Sequence, residues 1–401
     1  MTIIELTLTN MAHGGSAVGR HDGRAIFVAY GVPGERVRAR ITQDKGRFAY
    51  AEVVEVLEKA PIRAAPRCKH FGVCGGCHWQ HMDYAAQLAF KQSVIADQMR
   101  RLGGLPDAIV HPTIPSPDAW AYRSHVTYHV TADEQLGFVG LDDRTVIPIE
   151  ECHIVRGELL NPLPPALSPL RREGEPKTSP LNFTPGERVR VQVGSDGDEL
   201  LIAAGQGEDI FQRILTSHEV VHYTIQGRTF QVSAGSFFQV NLAQAQTLVT
   251  LALERLALKG SERLLDLYSG VGLFTAFLAE GARHVTAVES FPLAVKDAEV
   301  NLTAFDNVDL IEGTVENVLS ALGRGYDAAL LDPPRAGMDA RALKALVKIA
   351  PQKIVYVSCD PATLARDTKQ LTGAGYRLID VQPVDMFPQT YHIEAVAQFE
   401  K

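Results

Sequence analysis

The sequence predicts an α/β protein in which a Rossmann-like sheet domain follows a small β-barrel and a mixed middle domain. From about residue 235 onward, strand and helix patterns alternate, as in a parallel sheet with crossover helices. Residues 1–58 instead carry short alternating apolar runs separated by glycine turns, which is the spacing of an OB-like barrel. Because a chain of 401 residues exceeds what one hydrophobic core accommodates, we predict three domains, at 1–58, 59–234 and 235–401.

The composition is that of an ordinary globular protein, with 46% hydrophobic and 21% charged residues. No apolar run reaches the length of a membrane span, and the N-terminus lacks the features of a secretory signal. We therefore expect a cytoplasmic protein without a membrane contact, and no obligate protein partner is indicated. The net charge of −8 argues against a uniformly basic nucleic-acid binder, but residues 59–101 are locally basic and suited to phosphate contact.

The predicted barrel carries a row of arginines on one strand. Arg36, Arg38 and Arg40 alternate along the chain, so they project from one face of that strand. They form either a solvated edge or, together with the nearby Phe48 and Tyr50, a surface that contacts RNA. The sequence leaves both interpretations open.

The middle region combines a cysteine-rich start, an amphipathic helix and β-type runs. The helix is predicted at roughly 83–102, and a β-type run follows at 124–130. Residues 161–186 contain seven prolines, a density that neither a helix nor a central strand accepts. This stretch is therefore predicted to be a loop or linker inside the middle domain.

Four of the five cysteines form a pattern typical of a metal centre. Cys68, Cys74 and Cys77 follow a C-x5-C-x2-C spacing, and Cys152 supplies a fourth thiol far along the chain. In a reducing compartment, such thiols indicate metal binding or catalysis rather than disulfides. The intervening glycines let the backbone wrap a compact centre and offer amide hydrogen bonds to the sulfurs, which fits a four-thiolate iron–sulfur cluster.

Two alternatives remain for these thiols. Zinc is the stronger alternative, because four-cysteine and mixed Cys/His sets both bind it. Four histidines lie close to the cysteines in the sequence, namely His70, His78, His81 and His153. The other alternative is a set of buried free thiols. The spacing differs from the C-x3-C-x2-C of radical enzymes, so a structural cluster is favoured over a radical one.

A glycine-bearing turn between a strand and a helix marks a cofactor site in the C-terminal half. A buried strand at 263–268 runs into Gly270-Val271-Gly272 and then into a helix at 273–279. A dinucleotide fingerprint needs a third glycine, and Thr275 occupies that position. The next strand ends in Glu289, a carboxylate suited to the two ribose hydroxyls of an adenosine. This combination favours S-adenosylmethionine over a pyrophosphate cofactor.

Two further apolar strands end in residues with reactive side chains. Asp332 follows the strand at 328–331, and Cys359 follows the β-branched run at 354–358. Because the carboxyl ends of parallel strands meet at one edge of a sheet, we expect both residues beside the cofactor turn. Glu394 stands just before a last strand at 395–399 and completes the set at this edge.

A thiol, an acid and a methyl donor together fit methyl transfer to C5 of uracil, a carbon too weakly nucleophilic to react directly. Cys359 would add to C6 as the nucleophile and create an enolate at C5, which attacks the sulfonium methyl. Glu394 would then remove the C5 proton as the base, and Asp332 would orient the uracil edge. This mechanism requires surroundings that favour the Cys359 thiolate, and a uracil flipped out of its stack.

These motifs resemble the RNA uracil-C5 methyltransferases, in their longer, cluster-bearing bacterial form, nearly from end to end. The run at 357–367 (Val-Ser-Cys-Asp-Pro-Ala-Thr-Leu-Ala-Arg-Asp) is similar to the family's nucleophile motif. The run from Met386 to Glu394 is similar to the motif that ends in the catalytic base, and residues 1–58 look like the family's TRAM domain. The resemblance implies a class I methyltransferase fold, with TRAM as the RNA-binding barrel.

The resemblance also implies a role for each candidate residue. Cys359 and Glu394 fall on the catalytic positions. The positions that contact S-adenosylmethionine are matched by Gln239, Tyr268, Glu289 and Asp332. The ligands of the family's 4Fe-4S cluster are matched by Cys68, Cys74, Cys77 and Cys152.

The implied substrate is 23S ribosomal RNA, because a barrel combined with a cluster is typical of the ribosomal enzymes in this family. Transfer RNA is the alternative substrate, since related cluster-bearing members act on it. Two further alternatives are a class I methyltransferase with another acceptor, in which Cys359 is structural, and an RNA-binding protein that has lost catalysis.

Overall fold

The computed structural model describes residues 2–160, 183–197, 200–206, 213–216 and 219–401. Most of the predicted proline-rich loop, at 161–182, lies outside the described residues. Among the helices of the described ranges, none combines the length and the apolar character that a membrane crossing requires. The expected cytoplasmic location stays a prediction.

The described residues form twenty strands and eight α-helices. The strands are β1 (Ile3–Met11), β2 (Ala17–His21), β3 (Arg24–Ala29), β4 (Arg36–Asp44), β5 (Phe48–Glu58), β6 (His125–Val130), β7 (Leu136–Val139), β8 (Val146–Pro148), β9 (Arg188–Val193), β10 (Leu200–Gly205), β11 (Arg213–Ile214), β12 (Val220–Ile225), β13 (Arg228–Ser233), β14 (Arg263–Leu267), β15 (His284–Glu289), β16 (Val308–Glu312), β17 (Ala328–Leu331), β18 (Lys353–Ser358), β19 (Arg377–Val384) and β20 (Glu394–Glu400). The helices are α1 (Tyr84–Gln98), α2 (Gly157–Leu160), α3 (Leu242–Leu256), α4 (Leu273–Gly281), α5 (Pro292–Asn301), α6 (Val315–Ala321), α7 (Ala340–Ile349) and α8 (Pro361–Gly373). A π-helical turn at Met99–Gly103 continues α1, so a helix is present where it was predicted. Its buried residues include Gln87 and Lys91, so it lacks the apolar face of an amphipathic helix.

Strands β1 to β5 close into a barrel in the order β1-β2-β3-β5-β4, which confirms the predicted N-terminal barrel. Alternation along the strands explains this closure. In β1, Ile4, Leu6 and Leu8 point inward and are buried, while the residues between them are exposed. The barrel therefore has an apolar core of its own, formed by side chains from every strand.

The arginine row of β4 lies against carboxylates of the neighbouring strand. The pairs are Arg36 Nε to Glu58 Oε1 at 2.8 Å, Arg38 Nη1 to Glu55 Oε2 at 2.5 Å and Arg40 Nε to Glu52 Oε1 at 2.8 Å. Because β4 and β5 are antiparallel neighbours, side chains on the same face meet across the pair. Each cation of the row thus has an anionic partner, but β4 pairs with both β1 and β5, so it is not the edge strand of the solvated-edge interpretation. Contact of the row with RNA stays a prediction.

The middle region builds a six-stranded sheet in the order β11-β10-β9-β6-β7-β8. The run predicted at 124–130 forms its central strand β6, which pairs with β9 and β7. Tyr128 of β6 is buried and donates a hydrogen bond from its hydroxyl to the carbonyl of Leu159 in α2, at 2.7 Å. This bond holds the short helix α2 against the sheet.

The hairpin β12–β13 packs into the core of the C-terminal domain. Its buried Tyr223 and Phe230 belong to the same hydrophobic cluster as Phe277 of α4, with the Phe230 and Phe277 rings 6.0 Å apart. The hairpin therefore packs as part of the C-terminal core, although it precedes residue 235, where the C-terminal domain was predicted to begin. The three domain ranges stay a prediction.

The C-terminal domain contains a seven-stranded sheet in the order β16-β15-β14-β17-β18-β20-β19. Strands β14 to β18 pair in parallel and are joined by helices, as the alternating patterns predicted. Strand β20 instead runs antiparallel to both of its neighbours, β18 and β19. The first residues of β20 therefore lie at the edge where the parallel strands end.

A buried ion pair joins the middle region to the C-terminal domain. Lys91 of α1 donates from Nζ to Asp385 Oδ1 at 2.5 Å and to the carbonyl of Phe387 at 3.0 Å. Both charged side chains are 0% exposed. Burial lowers the pKa of Lys91, and the carboxylate of Asp385 opposes that shift. Removing one partner would leave the other charge buried without compensation.

We expect Lys91→Met to lower the free energy of unfolding by about 3–5 kcal/mol, because it leaves Asp385 buried and unpaired. The matched control is Arg36→Met, which breaks the exposed pair with Glu58 and should cost no more than about 1 kcal/mol. The measurement is urea unfolding followed by fluorescence, since the Lys91 Nζ lies 5.9 Å from the ring centroid of buried Trp79. Equal losses in the two variants would contradict the expectation.

Candidate active site

The predicted nucleophile and the predicted base lie side by side at one edge of the C-terminal sheet. Cys359 directly follows β18, and Glu394 is the first residue of β20. The two strands are antiparallel neighbours in which Ser358 pairs with Ala395. The register of these two strands therefore places Cys359 beside Glu394. The charge of Glu394 is one of the causes that raise the pKa of Cys359.

Asp332 belongs to the same group because it follows β17, the strand beside β18. Its backbone N–H donates to the carbonyl of Leu267 at 3.2 Å, which ties it to the end of β14. Desolvation and the negative charge of Asp266 raise the pKa of Asp332 to about 7. Burial and the charge of Asp332 raise the pKa of Glu394 well above its usual value, against the opposing effect of Arg335.

The surroundings of Cys359 favour its neutral thiol, which differs from the expectation that they would favour the thiolate. Burial first, then the charges of Glu394 and Asp332, raise the pKa of Cys359 to about 12, although Arg335 acts in the opposite direction. Cys359 also stands at the N-terminus of α8, a position that ordinarily lowers a thiol pKa. Here burial and acidic neighbours outweigh that dipole.

The cofactor turn follows β14 as predicted. Tyr268 and Gly272 both have positive φ angles, of 65° and 86°, and the chain turns sharply between β14 and α4. Glu289 at the end of β15 accepts hydrogen bonds from the backbone N–H groups of Gly270, Ser290 and Phe291 at 2.7–2.8 Å. Its carboxylate is thus held at the turn, and only one of its four lone-pair sites is left for a ligand hydroxyl.

Gln239 lies in the segment between β13 and α3, which approaches the end of β15. The side chain of Gln239 is buried, and the neighbouring Phe238 stacks on Tyr223 with ring centroids 4.8 Å apart. In the same segment, a Cβ added at Gly235 would lie 2.8 Å from Leu293 Cδ1, close to the end of β15. The segment that carries Gln239 therefore packs beside the turn that holds Glu289.

The four predicted ligand cysteines line one cavity in the middle region. The cavity measures about 350 Å³, and Cys68, Cys74, Cys77 and Cys152 lie on its wall. The backbone N–H of Gly76 donates to the Cys74 sulfur at 3.4 Å, as expected for glycines between ligands. Burial and the neighbouring thiols raise the pKa of Cys77 to about 12 and that of Cys152 to about 11.

The histidines near the cysteines do not complete a ligand set for a single metal ion among the described residues. Within the described ranges, no group of three or more His, Cys, Asp or Glu side chains is placed to hold one ion. His70 and His153 line the cysteine cavity. His78 instead packs on Tyr391 with ring centroids 4.4 Å apart, and His81 lies near the carbonyl of Gly31.

Sequence reasoning missed the residues that hold the base-bearing segment in place. Gln87 of α1 exchanges two hydrogen bonds with Gln389, each 3.0 Å long, and Tyr122 donates to the carbonyl of Pro388 at 3.1 Å. Gln389 has a positive φ of 68°, which is uncommon outside glycine. These partners lie about 270 to 300 residues apart in the chain, so no local sequence pattern could have predicted the contacts.

The fold and the site define a methyltransferase that uses S-adenosylmethionine. The sheet is parallel except at its end, where β20 runs antiparallel between β18 and β19, and a glycine turn follows β14. This is the arrangement of class I methyltransferases. The chain belongs to the tRNA (uracil-5-)-methyltransferase family, whose sequence profile matches residues 201–401. The TRAM domain profile matches residues 2–54, where the barrel is found. The predicted family and enzyme class are thus confirmed.

Relatives resemble the chain over nearly its whole length. An uncharacterized RNA methyltransferase of Halalkalibacterium halodurans is 34% identical, and the match covers 99% of this chain and 97% of that protein. The 23S rRNA (uracil(1939)-C(5))-methyltransferase RlmD of Aeromonas salmonicida is 33% identical, and the match covers 99% and 96%. The crystal structure of Pyrococcus abyssi tRNA (uracil-54, C5)-methyltransferase with S-adenosyl-L-homocysteine superposes with a TM-score of 0.76. It covers 98% of this chain and 99% of its own at 24% identity, a likeness of fold.

We expect alkylation of Cys359 by iodoacetamide to accelerate steadily between about pH 7 and pH 10, because the thiolate is the reactive form. An ordinary thiol, with a pKa of about 8.5, would level off within this range. Glu394→Gln removes a charge that raises the thiol pKa, so it should move the profile to lower pH. The measurement is the modified fraction of the Cys359 peptide by mass spectrometry. A plateau near neutral pH in the unaltered protein would contradict the raised pKa.

Proposed function

We propose that the protein transfers a methyl group from S-adenosylmethionine to C5 of a uridine in 23S ribosomal RNA. The observation that carries this proposal is the convergence of Cys359, Glu394 and Asp332 at one edge of the sheet, beside the turn that holds Glu289. A nucleophilic thiol and a separate base are the two groups that substitution at C5 of uracil requires.

In the proposed reaction, the Cys359 thiol first loses its proton to solvent. The thiolate sulfur then forms a bond to C6 of the uracil, and the electron pair of the C5–C6 double bond moves to C5 and O4. C5 then takes the methyl group, and S-adenosylhomocysteine leaves. The Glu394 carboxylate accepts the C5 proton, after which the C6–S bond breaks and the Cys359 thiolate is released. The product is 5-methyluridine, and one proton is lost for each methyl gained.

The electrostatics of the site support a cationic methyl donor. Cys359, Asp332 and Glu394 all have raised pKa values, and burial is the first cause in each case. The charges of Glu394 and Asp332 raise the pKa of Cys359, and the charge of Asp332 raises that of Glu394. A sulfonium cation next to them would lower all three pKa values, because opposite charges stabilise the ionised forms. The same change prepares Cys359 for attack and Glu394 for proton removal.

Ribosomal RNA is favoured as the substrate by the full-length match to the Aeromonas salmonicida enzyme, which its name assigns to 23S rRNA. Transfer RNA is the second candidate, and it is favoured by the family's name and by the Pyrococcus abyssi structure. The barrel and the locally basic start of the middle region suit either RNA, since both supply phosphates and unpaired bases.

We also propose that the cysteine cavity holds a 4Fe-4S cluster that stabilises the middle domain. Four thiols from two distant chain segments line one cavity, which suits a cluster because each iron takes a different thiolate. A cluster separates its four cysteines more widely than a single ion does, which is compatible with the lack of a single-ion ligand set in the described ranges. Cys68, Cys74, Cys77 and Cys152 would hold the cluster.

Methyl transfer is tested by tritium release from 5-[³H]uridine-labelled 23S rRNA and transfer RNA incubated with S-adenosylmethionine. We expect release from 23S rRNA with the unaltered protein and near-complete loss with Cys359→Ser. Glu394→Gln should trap the RNA as a denaturant-stable adduct, because the C5 proton stays in place. Glu400→Gln, at the other end of β20, serves as the matched control.

Three outcomes would overturn parts of this proposal. Release from transfer RNA alone would change the substrate. Activity retained by Cys359→Ser would indicate a methyltransferase with a structural cysteine and a different acceptor chemistry. Absence of methyl transfer to any RNA would indicate an RNA-binding protein without catalysis.

The cluster is tested by iron and sulfide analysis of protein purified without oxygen. We expect bound iron and sulfide with a broad visible absorbance, and their loss in Cys77→Ser. The control is His70→Ala, which alters the same cavity without removing a thiolate. Methyl transfer should proceed without a reductant, since the proposed role is structural. Zinc in place of iron, or turnover that depends on a reductant, would contradict the assignment.

A further inference from the structure

The turn between β1 and β2 projects from the barrel toward the C-terminal domain. It is a tight turn, in which the Ala12 N–H donates to the Ser16 carbonyl at 2.9 Å and the Gly15 N–H donates to the Ala12 carbonyl at 3.1 Å. Two successive glycines with positive φ angles, Gly14 at 87° and Gly15 at 86°, produce the reversal. We call residues 12–16 the barrel turn.

The barrel turn contacts the residue next to the nucleophile. His13 Nε2 lies 3.3 Å from Oδ2 of Asp360. The other carboxylate oxygen of Asp360 accepts from the backbone N–H groups of Ala362 and Thr363 at 2.9 and 2.8 Å, and so caps helix α8. Both oxygens of this side chain are thus engaged, one by its own helix and one by the barrel.

The contact with His13 stabilises the charged form of Asp360. Burial would raise the pKa of this carboxyl, but the hydrogen bonds from His13 and from the amides of Thr363 and Ala362 lower it to about 2. An ionised Asp360 acts in turn on the neighbouring thiol, because its charge is one of those that raise the pKa of Cys359. Asp360 stays ionised at neutral pH even without this donor, because an aspartate ordinarily titrates at about pH 4 and two backbone amides still bind it. The His13 donor therefore offsets part of the charge that acts on Cys359, and its loss should raise the thiol pKa further.

The barrel turn also contacts the segment that carries the base. A Cβ added at Gly15 would lie 2.7 Å from Cδ1 of Tyr391, so the glycine lets this ring pack directly on the turn. Trp79 donates from Nε1 to the Gly15 carbonyl at 3.0 Å, and its backbone N–H donates to the Gln389 carbonyl at 3.0 Å. The segment leading to Glu394 is therefore held from the barrel side.

We propose that the barrel turn is a positioning element of the active site, in which His13 orients the nucleophile turn through Asp360 and Gly15 seats the base-bearing segment through Tyr391. The barrel then contributes to the chemical step in addition to any contact with RNA. This inference rests on the proposed function, because it assigns the turn a role in the reaction of Cys359.

The experiment compares His13→Ala with His13→Gln, which retains an N–H donor for Asp360. We expect the rate of covalent adduct formation with 5-fluorouridine-containing 23S rRNA, at saturating RNA, to fall about tenfold in His13→Ala, as for one lost hydrogen bond to a charged group. His13→Gln should restore most of the rate, and the affinity for RNA should not change. His21→Ala is the matched control, since His21 belongs to the same barrel, is similarly exposed and pairs with Asp22 instead.

A second measurement does not depend on RNA. His13→Ala removes a partner of the Asp360 charge, so the thiol pKa should rise and iodoacetamide should modify Cys359 more slowly than in the unaltered protein and in His21→Ala. Gly15→Ala should slow tritium release more than adduct formation, because it displaces the segment that carries Glu394.

The outcomes separate this inference from the proposed function. If the unaltered protein forms no adduct with any RNA, the proposed function fails, and a slower alkylation of Cys359 in His13→Ala still supports the positioning role. An alkylation rate that equals that of His21→Ala overturns the inference. A weaker affinity for RNA with an unchanged adduct rate at saturation also overturns it, because His13 would then be an RNA contact.

Discussion

The candidate active site depends on the antiparallel insertion of β20 between β18 and β19. A thiol at the end of one strand and a carboxylate at the start of the next share a sheet edge only when the two strands run in opposite directions. The pairing of Ser358 with Ala395 then brings Cys359 beside Glu394. A slip of one residue would turn every side chain of β20 to the other face and remove Glu394 from the site.

The same burial that completes this edge raises the pKa values of its acidic groups. Cys359, Asp332 and Glu394 are drawn out of water and placed near one another, so each resists ionisation. Such a group of acids is unfavourable on its own, and a stable fold must hold it by contacts elsewhere. A bound cation is the natural complement, which links the electrostatics to the methyl donor that the family uses.

Those contacts come from the other two parts of the chain. The segment before Glu394 is held by Lys91 and Gln87 of α1, while Trp79 follows the cysteine-rich loop and joins that segment to the barrel turn. The middle region and the barrel therefore both contact the C-terminal domain near the sheet edge that carries the candidate active site. We therefore expect the folding of the barrel and of the cysteine cavity to influence the geometry around Cys359 and Glu394, although these residues belong to the C-terminal domain.

The sequence alone was enough to predict the N-terminal barrel, the parallel sheet of the C-terminal half and the family. It also supplied the candidate nucleophile, base and thiol ligands, which remain proposals. Alternating and periodic apolar patterns are local, and short motifs such as the run around Cys359 carry their meaning within a few residues. Even the location of Glu394 followed from its motif, although the reversed direction of its strand did not.

Only the tertiary structure decided which charges meet. The pairing of the β4 arginines with glutamates, the burial of Lys91 against Asp385 and the raised thiol pKa of Cys359 all depend on strand register or on contacts between distant segments. Electrostatic effects depend on the separation of the groups and on their exposure to water, and a linear sequence contains neither quantity. The proposed chemistry of this protein therefore follows from its motifs, while the pKa shifts in its candidate active site depend on the fold.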